Sequence, residues 1–433
     1  MKQLEIKRAE TLSEILNTFQ PEKLNEENMS AFYYDKTMPI RMGDDYSSPM
    51  DALFEDCSMV SGANAHLLSG HRGCGKSAEL LNLKHRLEKV GHPVHIVECS
   101  MEMNLSKAEC WDVLLLIVEG LCHIAYHNGI ELPESLLTDV FDYIEKDVTT
   151  ETIKYTEAST QLGAVFELIA FIKANLKVGT QTRTNIKEKM ERRASDWLRY
   201  VNEISDIITN KMNGKQPVLI FEDLDKIQPY ERASDVFSYE VLSKLPFPVI
   251  YTFPIPLIYD AKAAYPRSLY RLRVLPMIKV ANDDKTENKD GIEILRKIVK
   301  LRADEKLFEK DALTELIKQT GGVLRHLFEC IITASRRARW REANRIEIED
   351  SRRALAELSG DLRKQISMSD NDMLQNIYNN PKHKKQIEDR EPLLKQMSAL
   401  VVLEYQNGEP WHDLHPLIAR FLRDQGVVNV ENQ

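Results

Sequence analysis

The chain has 433 residues, 43% hydrophobic and 29% charged, enough for two to four domains with real cores and too apolar for a disordered polymer. Its 58 basic and 67 acidic residues give a formal charge of -9, which argues against wholesale coating of a polyanion and leaves room for a local basic patch. No uninterrupted apolar run reaches the roughly 18 residues of a spanning helix, and the mixed-charge start does not read as a signal peptide. Six cysteines, at 57, 74, 99, 110, 122 and 330, form no CxxC pair and no cluster with histidine, so neither zinc nor a disulfide framework is expected. The expectation is a cytoplasmic protein with no membrane segment.

The chain opens with an amphipathic segment over Leu12–Phe19 and a polar, linker-like stretch over Pro21–Asn28. Strand-like and helical segments then alternate, which predicts a mostly parallel sheet covered by helices. The strand candidates are Ala65–Ser69, His92–Cys99, Val218–Phe221, Val249–Phe253 and Val274–Ile278, short runs of the kind buried on both faces. Between the second and third lies a long interval with helical spacing (Trp111, Leu114, Leu115, Val118, then Trp197, Val201, Ile204), longer than a crossover needs. It reads as a helical insertion over about 103–212, with Lys173–Lys187 as its mobile loop. Beyond Asn282 the pattern is helical over Ile292–Leu301, Ala312–Lys318, Val323–Arg339 and Ile348–Ile366. From Met368 onward helices precede two β-like runs around Asn407-Gly408, a hairpin signal that suggests a winged helix.

Leu67-Leu-Ser-Gly-His-Arg-Gly-Cys-Gly-Lys-Ser77 fits the phosphate-loop pattern at every position. Glycines let the backbone turn its N–H groups toward phosphate oxygens, and the following helix adds its positive end. Gly70, His71, Arg72, Gly73, Cys74, Gly75, Lys76, Ser77 and Ala78 are therefore the candidate nucleotide-binding residues. Lys76 would reach the β- and γ-phosphates, and the Ser77 hydroxyl would coordinate Mg2+. Cys74 reads as a small space-filling residue of the loop.

Val218-Leu-Ile-Phe-Glu-Asp-Leu-Asp-Lys226 is an apolar strand ending in a carboxylate pair. One acid of such a pair holds Mg2+ and the next polarises the attacking water. We assign Mg2+ to Glu222 and the base to Asp223, with an offset of one residue left open and Asp225 two further on. Thr252, at the end of an apolar strand, is placed to meet the γ-phosphate or the lytic water. Gly321-Gly-Val-Leu-Arg325 permits a tight entry into a helix whose first turn carries Arg325, a candidate γ-phosphate sensor. Arg267, Arg271 and Arg273 precede the last strand candidate, and any of them could act as an arginine finger in a neighbouring subunit. Ser335-Arg-Arg-Ala-Arg-Trp-Arg341 is a basic run that reads better as a solvated helix face than as a nucleic-acid surface.

In this order the motifs resemble the AAA+ class, most closely its initiator-like and STAND-type prokaryotic branch, related to origin-recognition proteins. Gly75-Lys-Ser-Ala-Glu-Leu80, Asp223-Leu-Asp-Lys226 and Trp411-His-Asp-Leu-His-Pro416 carry the likeness, which spans roughly residues 45–425. Glu222 stands where Asp is more usual, and no single arginine finger is evident. The resemblance implies an α/β fold: a P-loop AAA+ parallel sheet with helices on both faces, a helical insertion, a helical lid and a C-terminal winged helix. The expected division is an N-terminal segment 1–45, a core 46–280, a lid 281–366 and a winged helix 367–433. Implied too are ATP and Mg2+ as cofactors, slow assembly-dependent ATP hydrolysis, a homo-oligomer and either a protein effector partner or double-stranded DNA.

Overall fold

The computed structural model describes residues 7–20, 23–43, 47–59, 64–145, 161–176, 194–382 and 390–428. They fall into two compact units: Pro49–Ser69 with Asn82–Arg273, and Met1–Ser48 with Gly70–Leu81 and Val274–Gln433.

The first unit begins with helix α1 (Pro49–Ser58) and strand β1 (Ala65–Ser69); helix α2 (Lys76–Lys89) starts directly after the phosphate loop, with its residues to Leu81 in the second unit and the rest in the first. Strand β2 is Val94–Glu98. Among the described residues the long helices of the insertion are α3 (Cys110–His127), α4 (Glu134–Glu145), α5 (Gln161–Leu176) and α6 (Ala194–Lys211). Strands β3 (Val218–Glu222), β4 (Val249–Phe253) and β5 (Arg271–Val274) complete a five-stranded sheet of order β2-β3-β4-β1-β5. β1 pairs with β4, β3 with β4 and β2 with β3, all parallel. β1, β3 and β4 are buried at every position, which explains their unbroken apolar sequences.

Four strands lie where the sequence places them, and the fifth does not. It spans Arg271–Val274 instead of Val274–Ile278. Pro276 has no amide to give a ladder, and the Met277 amide donates to Glu404 O at 3.3 Å, so this apolar run bonds elsewhere. The expected loop at Lys173–Lys187 is corrected in its first residues, because α5 runs to Leu176. Residues 177–187 lie outside the described residues.

The insertion is helical, as expected, and shares one hydrophobic core with the sheet. α3 is buried along nearly its whole length and lies against α5, α6 and β2. The Glu109 amide donates to Asp112 at 2.9 Å and fixes its N-terminus. Among the described residues α3 alone is long and apolar enough by composition to cross a membrane, but its side chains form the core of this unit. Trp197 of α6 is fully buried and donates its indole N–H to Leu114 O at 3.2 Å.

In the second unit α7 (Lys289–Arg302), α8 (Lys310–Gln319), α9 (Leu324–Trp340) and α10 (Ile348–Arg363) form the lid, with α10 packed on α8 and α9. The Asn288 side chain accepts the Gly291 amide at 2.8 Å to cap α7, and the Glu347 amide donates to Asp350 at 2.9 Å to open α10. Helices α11 (Asn371–Asn379) and α12 (Glu391–Ser398), strands β6 (Val402–Asn407) and β7 (Glu409–Leu414) and helix α13 (Pro416–Asp424) make the winged-helix module. β6 and β7 pair antiparallel about Gly408, with Asn407 opposite Glu409.

Trp197→Ala should cost about 3–5 kcal/mol, the usual range for emptying a buried tryptophan site. Chemical denaturation followed by circular dichroism measures it, and Trp197→Phe should lose clearly less.

Candidate nucleotide site

The phosphate loop turns at Gly70, Gly73 and Gly75, all with positive φ. At Gly73 (φ 78°) a Cβ would stand 2.7 Å from the Arg325 Cβ, so only glycine lets the loop and the first turn of α9 approach this closely. The same argument applies to Gly322, where a Cβ would fall 1.9 Å from Ile278 O. The expected Gly-Gly entry thus brings Arg325 beside the phosphate loop with its side chain exposed.

Lys76 is buried, and its Nζ donates to Gly70 O at 2.7 Å and His71 O at 3.0 Å, which places the ammonium within the turn of the loop. Ser77 and Ala78, on the first turn of α2, are part-buried, as are Arg72, Gly73 and Gly75. Amides in the first turn of a helix lack intrahelical acceptors, so the start of α2 presents donors there. A triphosphate needs such donors and a cation, and these residues supply both.

Sequence reasoning missed what holds this loop. Arg41 is 1% exposed, and its guanidinium donates to Cys74 O at 2.7 Å and to Pro276 O, with Nε on Thr37 Oγ1 at 3.3 Å. Thr37 and Tyr33 in turn donate to the two Glu79 oxygens of α2 at 3.2 and 2.8 Å. The N-terminal segment therefore reaches the loop through Arg41 and the first turn of α2 through Thr37 and Tyr33. A single arginine in a polar stretch carries no sequence signal for this.

His71 is fixed from the other end of the chain. Its Nε2 accepts the Glu404 amide of β6 at 2.8 Å, while Tyr405 OH donates to Gly321 O at 2.8 Å and Lys279 Nζ to Gln406 O at 2.6 Å. Burial pushes His71 down to about 3, partly offset by Glu404, so the ring is neutral and Nε2 is free to accept. A second buried pair, His326 Nδ1 and His415 Nε2 at 3.2 Å, joins α9 to the start of α13. Burial lowers both, His326 to about 4 and His415 well below the ordinary value.

In the other unit the acids sit at the end of β3. Glu222 and Asp223 are each 3% exposed, and Asp223 adopts a left-handed backbone (φ 72°) that turns the chain sharply. Ser100 Oγ donates to Asp223 Oδ2 at 2.5 Å, and Lys226 Nζ pairs with Oδ1 at 2.7 Å. Glu98, at the end of β2, lies in register with Glu222 and joins the acidic strand ends. Neither Ser100 nor Glu98 was singled out by sequence, since strand register is not legible there, and Lys226 stood only as the end of the quoted motif. Thr252 Oγ1 donates to Phe221 O at 3.2 Å and accepts the Asp225 amide at 3.4 Å, which fastens the acid-bearing turn to β4.

The arginine-finger candidates are engaged within the chain. Arg271 and Arg273 belong to β5 and grip the two Asp56 oxygens of α1 at 2.6 and 3.1 Å, while Arg267 donates to Leu257 O and Asp260 O at 2.5 and 2.7 Å.

No protein-family model and no curated protein matches the chain. Similar solved structures include the ORC2 protein of Aeropyrum pernix in its ADP form, 12% identical over 95% of this chain and 97% of that one, with a TM-score of 0.42. Cdc6p of Pyrobaculum aerophilum is 12% identical over 95% and 98%, with a TM-score of 0.39. The RuvB Holliday junction branch migration motor of Thermotoga maritima is 10% identical over 95% and 99%, with a TM-score of 0.36.

Arg41→Met leaves Cys74 O and Pro276 O without their donor, at about 1–3 kcal/mol for each buried acceptor. Thermal unfolding should report a loss of about 2–6 kcal/mol on that basis, with weaker nucleotide binding alongside. The buried histidines make a pH prediction. Their folded pKa values lie below the ordinary 6.5, so the unfolded chain takes up protons that the folded chain refuses. Stability should be complete above about pH 6.5 and fall as pH drops toward about 4, by up to about 1.4 kcal/mol per unit for each histidine. Denaturation midpoints measured across this range should show a flatter slope for His71→Gln, which can accept the Glu404 amide but does not titrate.

Proposed function

We propose that this chain is an ATP-binding and ATP-hydrolysing molecular switch whose nucleotide state governs self-assembly into a homo-oligomer and engagement of a protein effector, in prokaryotic defence against viruses and mobile elements. One observation carries the switch. The phosphate loop is held by Arg41 of the N-terminal segment, faces Arg325 of the lid across Gly73 and receives the C-terminal hairpin on His71. A shift of the loop on binding or losing a γ-phosphate therefore strains contacts to all three segments at once.

Lys76 neutralises phosphate charge, the loop amides orient the β- and γ-phosphates, and Arg325 reports the γ-phosphate to α9. The Ser77 hydroxyl and the strand-end carboxylates are hard oxygen donors of the kind Mg2+ takes and would hold that ion, which would supply charge neutralisation to the phosphate oxygens. Glu222 serves the ion and Asp223 accepts the proton of the attacking water. Ser100, Lys226 and Thr252 are positioning residues for that turn. An effector surface is supported by Tyr126 and Phe166, exposed aromatics 6.1 Å apart on α3 and α5.

The alternative output, double-stranded DNA in replication or transposition, has its own support. Trp340 is 79% exposed at the end of α9, and Arg336, Arg339 and Arg345 are exposed near it in sequence.

ATP hydrolysis measured against protein concentration, with and without duplex DNA, tests both. We expect activity that rises faster than linearly and is abolished in Lys76→Ala. Asp223→Asn should keep ATP binding and lose about 100-fold or more in turnover, as removal of a general base does. Linear activity would remove assembly from the reading, and stimulation by DNA that fades steeply with salt would move the output to nucleic acid. Phosphate release unchanged by Lys76→Ala would overturn the ATPase itself.

A further inference from the structure

The insertion holds a group of side chains that nucleotide chemistry does not use. Glu119 and His123 lie one turn apart on α3, and His95 projects toward them from the edge strand β2. One ring nitrogen of each histidine and a Glu119 oxygen all lie within 4.8 Å of one another. The imidazoles of His95 and His123 stack at 4.6 Å and 10°, with exposed His127 next in line at 5.8 Å from His123.

We propose that His95, Glu119 and His123 form a binding site for a divalent transition-metal cation of the zinc class. Two imidazoles and one carboxylate are the donor set of an open zinc site, with a fourth position left for water or a further ligand. Ligand atoms about 2.0–2.2 Å from zinc stand roughly 3.3 Å apart in a tetrahedron, so side-chain rotations alone close the cluster. His123 and His95 are part-exposed, which leaves an entry path, whereas the Glu119 side chain is 2% exposed and offers its charge from within.

Two features point to a missing ligand rather than a finished ion pair. Glu119 Oε1 carries both polar contacts, with His123 Nε2 at 2.9 Å and Lys173 Nζ at 3.2 Å. Glu119 Oε2 and His123 Nδ1 are buried with no hydrogen-bond partner among the described residues, which a native interior rarely tolerates. Lys173 supplies the positive charge that a metal would replace. It also holds Glu102 at 2.8 Å, so it has a carboxylate to keep when it yields Glu119. Sequence inspection sees no CxxC, and the helical pair His123 and His127 does not reveal the cluster, because its other histidine, His95, comes from a strand.

The test uses the full chain without nucleotide, titrated with Co2+ and then Zn2+. We expect the visible d–d absorption of a tetrahedral Co2+ site at one ion per chain, discharged by Zn2+. His95→Gln combined with His123→Gln should abolish it. Lys173→Met should tighten Co2+ binding by about tenfold, a gain that misfolding cannot mimic. Absence of the absorption in the wild-type chain, its persistence in the double variant, or unchanged affinity in Lys173→Met would each overturn the site. Because no nucleotide is present, none of these outcomes depends on the ATPase reading.

Discussion

A buried guanidinium fixes the conformation on which the second unit depends. Arg41 is almost fully enclosed, yet its donors go to backbone carbonyls on two segments far apart in sequence, Cys74 in the phosphate loop and Pro276 beyond β5. A cation in such a place survives only if its hydrogen bonds are met, and those bonds dictate where both segments run. Thr37 and Tyr33 extend the constraint through Glu79 into the first turn of α2. The loop that would meet phosphate is therefore held before any ligand arrives, which lowers the ordering cost of binding.

The buried histidines of this unit remain neutral. His71, His326 and His415 are buried in the same unit and held below their ordinary pKa, so they act as hydrogen-bonding groups without adding charge beside Lys76 and Arg41. His71 accepts from Glu404, and His326 meets His415 at the N-cap of α13. A charged ring at His71 could not accept the β6 amide, so neutrality and the docking of the hairpin are one condition.

The local parts of this arrangement were legible and the long-range parts were not. The phosphate loop is a contiguous pattern, and three central strands were placed nearly residue for residue because burial on both faces leaves an apolar run. The Asn407-Gly408 hairpin and the Gly321-Gly322 entry were equally visible, since left-handed turns leave glycine in the sequence. The fifth strand was misplaced because Leu275, Met277 and Ile278 are apolar for burial against other segments, and Pro276 prevents the ladder their composition suggests. Arg41, Glu98, Ser100 and the His95 cluster were missed for a common reason. Each gains its meaning from a partner many residues away, and register, not composition, makes the pair.

The two left-handed features at the sites differ in kind, and the difference separates their roles. In the phosphate loop the positive φ values fall on glycines, where they cost little and permit close approach. At the end of β3 the same conformation falls on Asp223, which must be held there against steric cost of about 1–2 kcal/mol. Ser100 and Lys226 grip both carboxylate oxygens, and Thr252 ties the following turn to β4. That is the signature of a side chain whose direction matters more than its local comfort. A carboxylate so tethered is held in direction, whereas Glu222 stands one residue earlier on regular strand backbone. The two adjacent acids therefore differ in backbone, one in regular strand and one in a left-handed turn.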